Sequence, residues 1–278
     1  MKKLILILLI LAFTLPGCNG KKNAEQLLEM AQKSYDQGKY FEARKYLGQA
    51  LKLKPTDKDI VFQIGRTYMA ENMFDSAFAN LSRADKLYPN DREINLLLHD
   101  ASVKSRHWRA AIAALLTLSR TGDPIENYYR QIGQYALNDS AGHIAYYYYG
   151  KLMELEPDSL SHYLNRAEGG FIKGTPEETI EVLKAALKEF GDKPVILAPL
   201  GRVYLVSGKL VEAEEIYRLL ISKEKNTYNE LQLATVLSLQ DLRSKRQEAL
   251  AMFRRLRDEA INIRRVDSVI NMLEQELK

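Results

Sequence analysis

Lys58 to Asp91 reads KDIVFQIGRTYMAENMFDSAFANLSRADKLYPND, and two amphipathic helical patterns stand back to back in it. The first buries Val61, Ile64, Gly65 and Tyr68, which fall on one helical stripe. The second buries Ala77, Leu81 and Ala84, and Glu71-Asn72-Met73 is the polar turn between them. Pro89 stops the second helix, having no N–H to donate and a ring that clashes with the preceding turn. One such hairpin cannot bury its apolar faces alone and requires neighbours.

The neighbours stand in phase. Units of thirty-four residues start at Ala24, Lys58, Arg92, Glu126, Leu160, Pro194 and Tyr228. Position eight is Ala31, Gly65, His99, Gly133, Ala167, Gly201 and Thr235. Position twenty is Ala43, Ala77, Ala111, Ala145, Thr179 and Ala213, with a two-residue slip that puts Ala249 in that role in the seventh unit. Position twenty-seven is Ala50, Ala84, Leu118, Leu152, Ala186 and Leu220, and Pro55, Pro89 and Pro157 end three units. A mid-helix glycine costs about 1 kcal/mol against alanine. The small residues at positions eight and twenty therefore predict a close crossing of each hairpin's two helices there.

This phase and these residue types resemble the tetratricopeptide repeat family, whose unit is a thirty-four-residue helix–turn–helix. The resemblance covers Ala24 to Asp258. It departs at His99, Thr179, Thr235 and the slip of the seventh unit. It implies an all-α, right-handed α-solenoid of about seven hairpins. A last pattern (Ala260, Ile263, Val266, Ile270, Leu273, Leu277) predicts a capping helix within residues 259–278. Pro194 and Pro199 predict that the first helix of unit six starts late or kinks.

The N-terminus reads differently. Met1-Lys2-Lys3 precedes a run from Leu4 to Leu15 that is apolar except for Thr14, too short to span a bilayer and suited to a signal peptide over residues 1–17. Leu15-Pro16-Gly17-Cys18 resembles the lipobox of bacterial lipoproteins, and Cys18 is the chain's sole cysteine. The resemblance implies that Cys18 is lipidated, that residues 18–23 are a polar tether, and that Asn19 favours the outer membrane over inner-membrane retention. Localisation is then the periplasmic face of the outer membrane, or else secretion to the periplasm or cell surface.

The whole chain has 40 Lys and Arg against 36 Asp and Glu; without Lys2 and Lys3 it stands at 38 against 36. That near-balance gives no reason to expect nucleic acid. His99, His107, His143 and His162 share no helical face and no metal-ligand spacing. Neither a phosphate loop nor a nucleophile elbow is present, so no cofactor, metal or enzymatic activity is expected. The basic stretch Arg243, Lys245, Arg246, Arg254, Arg255, Arg257, Arg264 and Arg265 reads as a solvated face.

The expected work is binding other proteins. The family's concave lining maps here onto Phe62, Arg66 and Met69; Leu96 and Asp100; Arg130, Gln134 and Asn138; Asn165, Glu168 and Phe171; Arg202 and Leu205. Such Arg, aromatic and amide groups suit a partner peptide or helix. Members that clamp a carboxylate place Lys and Asn where this chain has Leu28 and Gln32. In the run Tyr146-Tyr147-Tyr148-Tyr149, Tyr149 takes a core position and Tyr146, Tyr147 and Tyr148 offer a surface patch. Repeat lipoproteins of this kind resemble assembly or recruitment adaptors and pilus pilotins. The competing classes are an accessory of cell-wall or exopolysaccharide export that binds glycan, and an enzyme with an unrecognised site.

Overall fold

The computed structural model describes residues 23–121, 124–259 and 264–278. The described residues form fifteen α-helices and no strand. They are α1 (Ala24–Asp36), α2 (Tyr40–Leu53), α3 (Lys58–Ala70), α4 (Phe74–Leu87), α5 (Arg92–Lys104), α6 (Trp108–Leu118), α7 (Ile125–Asn138) and α8 (Gly142–Leu155). Then follow α9 (Leu160–Lys173), α10 (Pro176–Phe190), α11 (Pro194–Val206), α12 (Leu210–Lys223), α13 (Thr227–Leu239), α14 (Arg243–Glu259) and α15 (Arg264–Glu276). The chain divides into two compact units, one ending at Ala101 and one starting at Ser102. In each, consecutive helices pack on one another, the arrangement of an α-solenoid of helical hairpins.

Each repeat is punctuated at fixed places. Asn23, Asp57 and Asp91, one residue before α1, α3 and α5, cap those helices, their side chains accepting from backbone N–H groups of the first turn. Between the two helices of a hairpin the chain turns at position fifteen. That residue is Gly38, Asn72, Arg106, Ser140, Gly174 or Gly208 in the first six units, and all six have φ between 56° and 79°. A left-handed residue just past a helix C-terminus lets the next N–H groups reach back to the last carbonyls. The next residue's N–H duly bonds back into α1, α3, α5, α7, α9 and α11.

The close crossing exists, and the structure adds a partner to it that the sequence expectation did not name. Position eight meets the large residue at position twenty-four of its own hairpin. A Cβ on Gly133 would lie 2.8 Å from the Tyr149 ring, and one on Gly201 would lie 2.9 Å from the Tyr217 ring. On Gly65 it would strike Leu81. Leu47, Leu81, Leu115, Tyr149, Leu183 and Tyr217, all at position twenty-four, are buried. The alanine at position twenty also packs toward the following hairpin: Ala77 clusters with Ala101, and Ala145 lies against Gly169. The physical reason is the helical rotation. A side chain long enough to fill a hairpin's centre occupies position twenty-four, and position eight gives way to it.

Three further sequence expectations resolve here. The helix of unit six starts at Pro194 rather than late, with Pro194 in its first turn and Pro199 inside it. Ala249 is fully buried, as the slipped phase requires. The end helix is α15, whose Val266, Ile270 and Leu273 join the core of the second unit; Ala260 and Ile263 lie outside the described residues. Trp108 stacks on Tyr135 of the next hairpin, ring centroids 5.6 Å apart.

Candidate functional site

The first helices of the repeats carry the candidate lining residues, and the structure sorts them by what they touch. Phe62 packs beside the buried cluster of Val61, Ala84 and Ile94, and Met69 beside that of Ala77 and Leu81, so both are partly core. Leu96 is exposed. Gln134 and Asn138 are exposed and bond to each other. Asn165 reaches the hydroxyl of the buried Tyr149.

Two of the three arginines repeat one construction. The Arg66 guanidinium lies 4.2 Å from the Tyr35 ring centroid, and Arg202 lies 4.3 Å from that of Phe171. In both cases an arginine at position nine covers the aromatic at position twelve of the preceding unit. Arg66 Nη1 also donates to Gln63 Oε1 at 3.1 Å, and Arg202 Nη2 donates to Glu168 Oε2 at 2.8 Å. Stacking and pairing fix the guanidinium plane and leave part of its donor fork open. Beside Arg202 a cavity of about 290 Å³ is lined by Asn165, Glu168, Phe171, Val195 and Pro199. The sequence carried the signal for these rungs in the thirty-one-residue spacing of Arg66 from Tyr35 and of Arg202 from Phe171.

Arg130 is used differently. Its Nη2 donates to both Glu156 carboxylate oxygens, at 2.8 and 2.9 Å. His162, buried, places Nε2 2.7 Å from Glu156 Oε2. The His162 contact, and then Arg130, hold the Glu156 carboxyl below its ordinary range. Residue types alone did not reveal this trio, because its members lie in two adjacent hairpins at no repeated spacing.

The tyrosine run separates into three environments. Tyr149 is core. Tyr147 is exposed, set edge-on to Tyr148, which in turn meets Tyr129. Tyr146 lies apart from them, with Arg166 4.4 Å and Lys173 5.0 Å from its ring centroid.

The basic stretch is paired rather than merely solvated. Arg254 meets Glu274 at 2.6 Å, Arg255 meets Glu230 at 2.8 Å, and Arg246 meets Asp241 and Glu276. Arg257 meets Asp258, and Arg243 donates to the Leu277 carbonyl. Lys245 reaches Glu214, which also accepts from Gln240 and Arg218. Burial alone would raise the Glu214 carboxyl, but these donors outweigh it and bring it down to about 2. The Arg264 and Arg265 side chains lie outside the described residues. Among the described residues, no group of three His, Cys, Asp or Glu could hold a metal ion, and no helix is long and apolar enough to cross a membrane.

Residues 171–235 match the tetratricopeptide repeat family. No curated protein matches the chain in sequence. The solved structure of Naa15/Naa10 bound to HypK-THB is similar over 91% of this chain, at 13% identity and a TM-score of 0.59. This chain spans 39% of the length of that one. A tetratricopeptide repeat protein from Parabacteroides merdae ATCC 43184 is 13% identical over 90% of this chain and 98% of its own, with a TM-score of 0.41. YrrB, a TPR protein with an unusual peptide-binding site, is 13% identical over 66% of this chain and 94% of its own, with a TM-score of 0.43. The described fold is thus a solenoid of tetratricopeptide-type hairpins, and residues 171–235 carry that family's sequence.

Proposed function

We propose that this chain is a protein-interaction scaffold that holds a peptide or helix of a partner on the first helices of its hairpins. The observation that supports this most is the pair of arginine-over-aromatic rungs, Arg66 on Tyr35 and Arg202 on Phe171. Arginine and aromatic side chains supply much of the energy of protein interfaces when they are held in place before binding. The cavity beside Arg202 has room for an anchoring side chain. The N-terminal reading adds a location. Cys18, outside the described residues, would carry the lipid that holds the scaffold at the outer membrane facing the periplasm. More than one acyl chain makes such attachment durable.

The test is a variant in which Arg66, Arg130 and Arg202 are all changed to glutamate, expressed in the native cell beside the wild type. Partner recovery should fall at least about tenfold at unchanged helical content, the scale of losing one to two interface anchors. Undiminished recovery would move the interface off this face.

A further inference from the structure

Within the first compact unit, a cleft of about 720 Å³ opens between α1 and α3 above α2. Its floor is apolar: Leu28, Ala31, Ala43 and Leu47. Its rim is acidic. Glu25, Glu29, Asp36 and Asp59 stand there against Lys33. Lys54 neutralises Glu25, at 2.5 Å. Asp36 accepts the Gln32 amide at 2.7 Å and keeps its charge available. Glu29 and Asp59 are exposed and sit in no ion pair among the described residues. Arg66 is not itself in the lining, but it covers the Tyr35 ring and bonds to Gln63, which are, so it stands at the cleft's edge as a second cation beside Lys33.

We infer that this cleft takes a partner segment bearing an apolar anchor flanked by lysine or arginine. This rests on the reading above that the first-helix face holds a protein partner, and it gives that partner a chemistry. The volume is of the size that encloses a large side chain and its neighbours. The floor rewards an apolar anchor, and the exposed carboxylates on both walls, Glu29 on α1 and Asp59 on α3, reward cations beside it. An acidic chain end fits poorly, because Leu28 and Gln32 offer it no cation. The preference is local, because the chain as a whole is close to charge balance.

Two short labelled amphipathic peptides test this against the full chain in detergent. They share one apolar pattern, and the polar positions are lysine in one and glutamate in the other. The lysine peptide should bind about tenfold more tightly or better, and Glu29→Lys with Asp59→Lys should remove or reverse that preference. Replacing the peptide's apolar residues by serine should abolish binding. Equal binding of both peptides overturns the inference, as does a lysine preference that survives Glu29→Lys and Asp59→Lys. So does tighter binding on changing Lys21 and Lys22 to serine, which would make the chain's own tether the occupant. Any of these results beside continued partner loss in the triple-arginine variant removes the cleft assignment and leaves the broader reading standing.

Discussion

Arg106 and Ser140 hold left-handed backbone, φ 60° and 56°, where the other repeats place Gly38, Asn72, Gly174 and Gly208. A non-glycine residue costs about 1–2 kcal/mol in that conformation, and glycine returns about 0.5–1 kcal/mol of that in chain entropy. Ser140→Gly should therefore stabilise the second unit by up to about 1 kcal/mol. A lowered midpoint in thermal melting would contradict the turn assignment. Gly142 presents the opposite case. A Cβ there would stand 2.5 Å from the Gly169 carbonyl oxygen and 2.9 Å from the Ile172 carbonyl carbon, both backbone that cannot rotate away. Gly142→Ala should cost about 1–3 kcal/mol. Gly48→Ala, also within a helix but with nothing within 4 Å of the new atom, should gain up to about 1 kcal/mol. Equal effects at the two sites would sink the packing argument. Position eight was legible because glycine in a helix asks for a reason. Gly142 and Gly169 were not, because their crossing lies between hairpins and follows no shared position in the repeat.

Helices in this chain are tied to their neighbours as much by charge as by apolar contact near the C-terminus. Glu214 on α12 accepts from Lys245 and Arg218, and from Gln240 in the loop before α14. Its carboxyl is lowered from 4.5 to about 2, so its contribution is full above about pH 4.5 and is lost as pH falls toward 2. Glu214→Gln should flatten the acid limb of the stability curve between those values in denaturant titrations. An unaltered acid limb would show that this carboxylate is not coupled to folding. The same pairing gives a binding prediction. Because Arg246, Arg254, Arg255 and Arg257 each face a carboxylate, the protein should not bind duplex DNA at near-physiological salt. Retention in a gel-shift measurement would reopen the basic stretch as a polyanion site. Sequence showed the charges on both sides but not their pairing, since Arg254 and Glu274, or Arg255 and Glu230, meet only when separate helices pack. Pro199 stands five residues into α11, where neighbouring packing holds the helix through a residue of poor helical preference.

At the level of the whole molecule, the thirty-four-residue phase carried nearly all of the architecture, because a solenoid repeats one local solution rather than relying on distant contacts. The arginine-over-aromatic rungs were legible in outline for the same reason. Arg66 and Arg202 were placed by position nine, and their partners Tyr35 and Phe171 follow from one repeat earlier. The acidic cleft between α1 and α3 was hidden, since Glu29 and Asp59 become neighbours only across two hairpins. The anchor proposed at Cys18 has its own check. Cys18→Ser should move the protein from the membrane to the soluble periplasmic fraction, and continued membrane association would remove the lipid from the account. The central claim is that the first-helix face holds another protein, and a photo-crosslinking residue placed in the native cell tests it most directly. Substituted at Phe171 on the first-helix face, it should yield a discrete protein adduct. Substituted at the exposed Lys188 on the second helix of the same hairpin, it should yield none. Adducts from Lys188 with none from Phe171 would contradict the account.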